Sequence, residues 1–211
     1  MTVLFLGDSI TDSNHSFDPE GLGTGYVRML HEYYNCAFPS DNRKHLFINK
    51  GFDGFTVSAV FRLWKRLQLQ NLPDIITLLV GINDVGLVMD HHYSDTQIRA
   101  FARKFGQSYQ DLVSDILNRT NARLILMEPF LFKYPAEYQT WLPTLSLYQE
   151  EIRRIADLFH LSYITLHREL NNLAETLDYH SITVDGIHLA EKGNRYLADQ
   201  LIHEFDILFT P

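Results

Sequence analysis

Thr2-Val3-Leu4-Phe5-Leu6 runs straight into Gly7-Asp8-Ser9. Val3 to Leu6 are apolar on both faces, and a glycine ends the run. That is the pattern of a strand buried on both sides that stops in a tight turn. Working outward, similar short runs recur at Leu46 to Ile48, Ile75 to Val80, Leu124 to Met127 and Tyr163 to Leu166. Between them the apolar residues repeat at helical spacing, which predicts helices near 24–35, 56–71, 96–118, 143–159 and 189–204. Leu189, Leu197, Leu201 and Phe205 mark the last of these, with Glu191, Lys192, Asp199 and Gln200 elsewhere on its surface. Strands alternating with helices predict an α/β protein, a three-layer α/β/α sandwich around a five-stranded parallel sheet.

At 211 residues the chain is expected to form one domain, 1–211, long enough to bury about 70% of its unfolded surface without a disulfide or metal staple. Cys36 is the only cysteine, so neither an internal disulfide nor a cysteine-based zinc site is available. Acidic side chains outnumber basic ones by 26 to 18, a net charge of −8. A nucleic-acid binder carries a basic face. The densest positive cluster here, Arg62, Lys65 and Arg66, reads as one solvated helix face. No run approaches the ~18 apolar residues of a membrane span. Met1 leads directly into the first strand without a basic segment or a cleavage site, so the expectation is a cytoplasmic protein whose partner is a small neutral substrate.

Folds of this class bind ligands outside the carboxyl ends of their strands. Gly7-Asp8-Ser9-Ile10-Thr11-Asp12 follows the first strand, Asn49-Lys50-Gly51-Phe52-Asp53-Gly54 the second and Gly81-Ile82-Asn83-Asp84 the third. Asp185-Gly186-Ile187-His188 precedes the last helix. Together they hold the parts of an acyl-transfer machine. Ser9 is the candidate nucleophile and His188 the base. Asp185, three residues earlier, is placed to orient the imidazole on one side of a single turn. The Ser9 N–H, the Gly54 N–H and the neutral Asn83 amide are candidate donors to an oxyanion. Asp8 is expected to brace the nucleophile turn and, with Phe130, Phe132 and Trp141, is a candidate for substrate contact. The aromatics of segment 130–141 offer flat faces for a sugar ring, or else pack the core. Asp12 reads as structural and Trp64 as core.

These four ordered blocks resemble those of the GDSL, or SGNH, hydrolase superfamily from residue 5 to 188. The resemblance implies a flavodoxin-like hydrolase with Ser9, Gly54, Asn83 and His188 as its signature residues and Asp185 completing a triad. Gly21-Leu22-Gly23-Thr24-Gly25-Tyr26-Val27, Asn49-Lys50-Gly51, Gly81-Ile82-Asn83-Asp84-Val85 and Met127-Glu128-Pro129-Phe130 further resemble the intracellular acetylxylan esterases. That implies deacetylation of acetylated xylo-oligosaccharides or related sugars through an acetyl-enzyme, without cofactor or metal, in an enzyme that assembles as a homo-oligomer. A lysophospholipase or acyl-thioesterase of the same superfamily is the competing expectation, and a non-catalytic ligand-binding module the third. Gly21 to Gly25 lacks the G-x-G-x-x-G pattern and a Walker lysine, so it reads as a loop shaping the site or a subunit contact. Asp90-His91-His92 lacks the helical spacing of a metal motif.

Overall fold

The computed structural model describes residues 1–36, 45–69 and 72–209. Five parallel strands form its centre: β1 (Thr2–Gly7), β2 (Leu46–Gly51), β3 (Ile75–Leu79), β4 (Arg123–Met127) and β5 (Ser162–Ile164), in the order β2-β1-β3-β4-β5. All four pairings are parallel. Val3, Leu4, Phe5 and Leu6 are fully buried, as is nearly all of β3. This explains why the strands read as continuous apolar runs rather than alternating ones.

The longer helices are α2 (Tyr26–Cys36), α3 (Val57–Arg66), α5 (Asp95–Arg119), α6 (Leu142–Phe159) and α9 (Glu191–Phe209). They stand where the helical periodicity put them. α3 stops at Arg66, short of the expected residue 71; residues 70 and 71 lie outside the described residues. Trp64 is buried on α3, donates its indole N–H to Asp115 Oδ2 at 2.8 Å and carries the Arg119 guanidinium over its ring. α1 (Ser9–Asp12), α4 (Ile82–Met89), α7 (His167–Thr176) and α8 (Tyr179–Ile182) complete the set.

Register is what positions the site. Gly7 pairs with Gly51 on one side and with Leu79 on the other. The turns that leave β1, β2 and β3 therefore emerge side by side. α1 lies directly across the ends of β1 and β2, so close that a Cβ on Gly51 would collide with the backbone of Thr11 and Asp12. The last piece comes from the far end of the chain. A bridge between Thr183 and Leu189 closes a tight turn over residues 184–188, ahead of α9.

Candidate active site

Ser9 begins α1. The Asp8 carboxylate accepts from the Ile10 N–H at 3.1 Å and caps the helix, as aspartate at this position does. Asn49, buried on β2, donates its amide to the Thr11 and Leu22 carbonyls at 2.7 and 2.9 Å and accepts from the Gly51 N–H. Asp12 accepts from the N–H groups of His15 and Asp53. The Ser9 turn is thus tied to β2 and to the glycine-rich loop. Asp18 holds that loop by accepting from the Leu22 and Gly23 N–H groups and from Arg28.

His188 brings Nε2 to 2.8 Å from Ser9 Oγ and Nδ1 to 2.7 Å from Asp185 Oδ2. Asp185 Oδ1 also accepts from the Ile187 and His188 N–H groups at 2.9 and 2.8 Å. Partial burial pushes the Asp185 carboxyl up, but the hydrogen bonds from the His188 ring and from these N–H groups outweigh it and hold its pKa below the usual value. The turn is locked from outside. Thr183 Oγ1 donates to the His188 carbonyl and accepts from the Gly186 N–H, while the Phe132 N–H donates to the Gly186 carbonyl. Gly186 has φ +95°, and a Cβ there would meet the Tyr134 carbonyl oxygen at 2.5 Å. Only glycine suits that backbone and that approach.

Asn83, at the start of α4, donates Nδ2 to the Phe55 carbonyl at 3.0 Å, which leaves one amide hydrogen free. Gly54 is exposed in its turn, with φ +69°. Among the described residues neither the Ser9 N–H nor the Gly54 N–H finds an acceptor within the chain. A cleft of about 550 Å³ opens over Ser9 and His188. Its lining mixes polar groups (Ser13, Asn14, Thr24, Asp53) with Phe17 and Val184, which are 90% and 68% exposed.

Two buried carboxyls flank the site. Burial raises Asp8 to about 7, with the Asp84 charge adding to the rise and the Ile10 N–H opposing it. Burial likewise raises Asp84 to about 7, against the pull of its bond from the Val57 N–H. Beneath them, Thr11 Oγ1 and Tyr26 OH share a buried hydrogen bond of 2.9 Å. The sequence blocks include Thr11 and Tyr26 without giving either a role and pass over Thr183, because an isolated hydroxyl carries no spacing signal.

The candidates for substrate contact separate. Phe130 and Phe132 are both 0% exposed and pack edge to face at 5.9 Å. Their rings belong to the core, which corrects the expectation of a sugar-stacking role. Asp8 is 1% exposed and lies under the Ser9 turn, closed to a ligand. Trp141 is half-buried, packed edge to face on Tyr138. Of the glycine-rich loop, Thr24 reaches the cleft. His91 stacks on Tyr93. Among the described residues no group of three or more His, Cys, Asp or Glu side chains is gathered for a metal ion, and no helix is long and apolar enough to cross a membrane.

The profile of the GDSL-like lipase/acylhydrolase family matches residues 5–196. An acetylxylan esterase of Geobacillus stearothermophilus is 28% identical over 215 residues, covering 96% of this chain and 92% of that one. A solved catalytic mutant of Axe2, an acetylxylan esterase from the same organism, has the same fold, with a TM-score of 0.78 at 24% identity over 96% of this chain and 93% of that chain. So does LAE5, an alpha/beta hydrolase enzyme from the metagenome of Lake Arreo, Spain, with a TM-score of 0.75 at 21% identity over 96% and 93% of the two chains.

Proposed function

The chain belongs to the GDSL-like lipase/acylhydrolase family and is a carboxylic ester hydrolase; from that premise we propose that it removes acetyl groups from acetylated sugars, xylo-oligosaccharides first among them, with Ser9, His188 and Asp185 as its catalytic triad. The observation that carries the reading is the unbroken chain of short contacts from Asp185 through His188 to Ser9 at the floor of an open cleft. With its proton on Nδ1, the neutral imidazole donates to Asp185 and accepts from the Ser9 hydroxyl. Ser9 Oγ attacks the acetyl carbonyl as its proton passes to His188 Nε2, and Asp185 stabilises the resulting imidazolium. The oxyanion takes the Ser9 N–H, the Gly54 N–H and the free hydrogen of the Asn83 amide. His188 then protonates the departing sugar hydroxyl, and water hydrolyses the acetyl-enzyme by the same steps in reverse role. No metal or organic cofactor takes part.

The acetylated sugar is favoured over a lipid by the similarity to an acetylxylan esterase along nearly the whole chain, and the polar groups among the mixed lining of the cleft (Ser13, Asn14, Thr24, Asp53) suit its hydroxyls. Residues 1–211 act as one hydrolase domain, in the cytoplasm, in an enzyme that assembles with copies of itself. The test is acetate release from acetylated xylo-oligosaccharides, beside nitrophenyl acetate and nitrophenyl octanoate, with wild type and Ser9→Ala. Fast acetate release that vanishes in the variant supports triad and substrate together. Octanoate turned over faster than acetate would overturn the substrate. A Ser9→Ala enzyme with undiminished turnover would overturn the mechanism.

A further inference from the structure

In the mechanism above, the oxyanion donors come from separate turns. Gly54 sits on the turn between β2 and α3, and Asn83 in the first turn of α4. A cavity of about 310 Å³ opens between the two segments, lined by Thr56 and Val57 at the start of α3, Asp84 and Val88 of α4, Phe105 of α5 and Tyr148 of α6. What spans the gap is a pair of hydrogen bonds from adjacent residues of α4. Asn83 Nδ2 donates to the Phe55 carbonyl at 3.0 Å, and Asp84 Oδ2 accepts from the Val57 N–H at 2.9 Å.

The Val57 N–H needs such a partner. It is the first amide of α3 and has no acceptor within its own helix. The capping Thr56 hydroxyl accepts from Ala59 instead, at 3.4 Å. Adjacent side chains on a helix point about 100° apart, so Asn83 and Asp84 grip the 55–57 segment from different directions. One bond alone would leave that segment free to pivot; two of them fix it.

We propose that Asp84 is a positioning residue of the oxyanion hole: by accepting the Val57 N–H it sets the separation between the Gly54 turn and the Asn83 amide, so that both donors face one point. The inference rests on the serine-esterase reading. A second consequence follows from burial. The carboxyl stays largely neutral up to a pH of about 7, so it can accept this bond without placing a full negative charge beside the oxyanion.

The test compares Asp84→Ala, Asp84→Asn and Val57→Pro, with Ser9→Ala in parallel. Proline suits the first position of a helix, and Thr56 before it is already extended, so Val57→Pro removes the N–H while leaving the carboxyl. The readouts are kcat and KM for nitrophenyl acetate, and the rate of inactivation by diethyl nitrophenyl phosphate, whose phosphoryl oxygen occupies the oxyanion position. Asp84→Ala and Val57→Pro should each lower kcat about 10- to 100-fold, with KM within about twofold and inactivation slowed in proportion. Asp84→Asn should recover most of kcat, because its amide oxygen accepts the same N–H. Should Asp84→Ala fail to fold, Val57→Pro and Asp84→Asn decide the question. Wild-type kcat in folded Asp84→Ala or in Val57→Pro overturns the proposal, as does an Asp84→Asn enzyme as slow as Val57→Pro. A Ser9→Ala enzyme that still turns over overturns the esterase mechanism itself; with Ser9→Ala inactive, a failure of the other variants falls on Asp84 alone.

Discussion

Replacing Asp8 by Asn should make the protein more stable, and more so the higher the pH. Asp8 is buried, with one oxygen accepting from the Ile10 N–H and the other without a partner. An unfolded chain releases this proton near 3.8, whereas the folded protein holds it to about 7. Between those values the folded state binds the extra proton, so its stability falls as pH rises and stops falling above the folded pKa. At about 1.4 kcal/mol for each pH unit, the full effect is about 4 kcal/mol. Asparagine keeps the capping oxygen, which it supplies as well as aspartate does, and cannot ionise. The gain of Asp8→Asn over wild type should therefore grow by about 3 kcal/mol between pH 5 and pH 8.5. Urea denaturation followed by circular dichroism at both pH values measures it, and the difference between the proteins cancels every other titrating group. A gap between variant and wild type that stays constant across this range would falsify the reasoning.

Asp185→Asn should lower kcat by about 10³- to 10⁴-fold, because an amide in place of the carboxylate favours the wrong imidazole tautomer; steady-state rates on nitrophenyl acetate check this, and a loss under tenfold would deny Asp185 its role. Gly186→Ala puts a Cβ 2.5 Å from the Tyr134 carbonyl at φ +95°, so the turn carrying Asp185 and His188 must shift. We expect about 2 kcal/mol of destabilisation and at least about a tenfold loss of kcat, measured by thermal melts and rates; an unchanged enzyme would show that the turn is not fixed from outside. Phe17→Ala should leave stability within about 0.5 kcal/mol, since the ring is almost wholly exposed. It should raise KM for acetylated xylo-oligosaccharides about three- to tenfold without touching nitrophenyl acetate. Equal KM values in wild type and variant would remove Phe17 from the sugar-binding rim.

The sheet was legible because a strand buried on both faces needs an uninterrupted apolar run, and β1, β3 and β4 supply one each. The long helices were legible from their period. α4 was not: its first turn is Ile82-Asn83-Asp84, residues that also suit a loop, and Gly86 in its middle weakens any helical signal. α7 was hidden by composition, since His167-Arg168-Glu169 and Asn171-Asn172 dilute a buried stripe of Leu170 and Ala174. Ser9, Gly54 and Asn83 stood out because each closely follows a strand, and Asp185 and His188 because they sit three residues apart just ahead of the last helix. The aromatics after β4 could not be sorted from sequence. Phe130 and Phe132 lie on a stretch whose backbone is bonded to α7, with the Leu131 carbonyl accepting from Asn171 at 3.0 Å and the Lys133 N–H donating to the same side chain. Only that long-range pairing distinguishes them from an exposed rim.

Three carboxyls surround the proposed reaction, and their environments separate their charges. Asp185, half-exposed and supplied with hydrogen-bond donors, stays ionised, as a partner for an imidazolium must. Asp8 and Asp84 are desolvated and keep their protons up to about 7. A charge on Asp8 acts in opposing senses, because it attracts the His188 cation and repels the oxyanion. Asp84 accepts from the Val57 N–H and adjoins Asn83, the proposed donor to the oxyanion. Ionisation of Asp84 should therefore raise the barrier, and kcat should fall as pH climbs through about 7. Asp84→Asn keeps the bond from Val57 and has no proton to lose. Its kcat should hold level through pH 8.5 where the wild-type value declines, and superimposable profiles would mean that the buried charge does not reach the oxyanion.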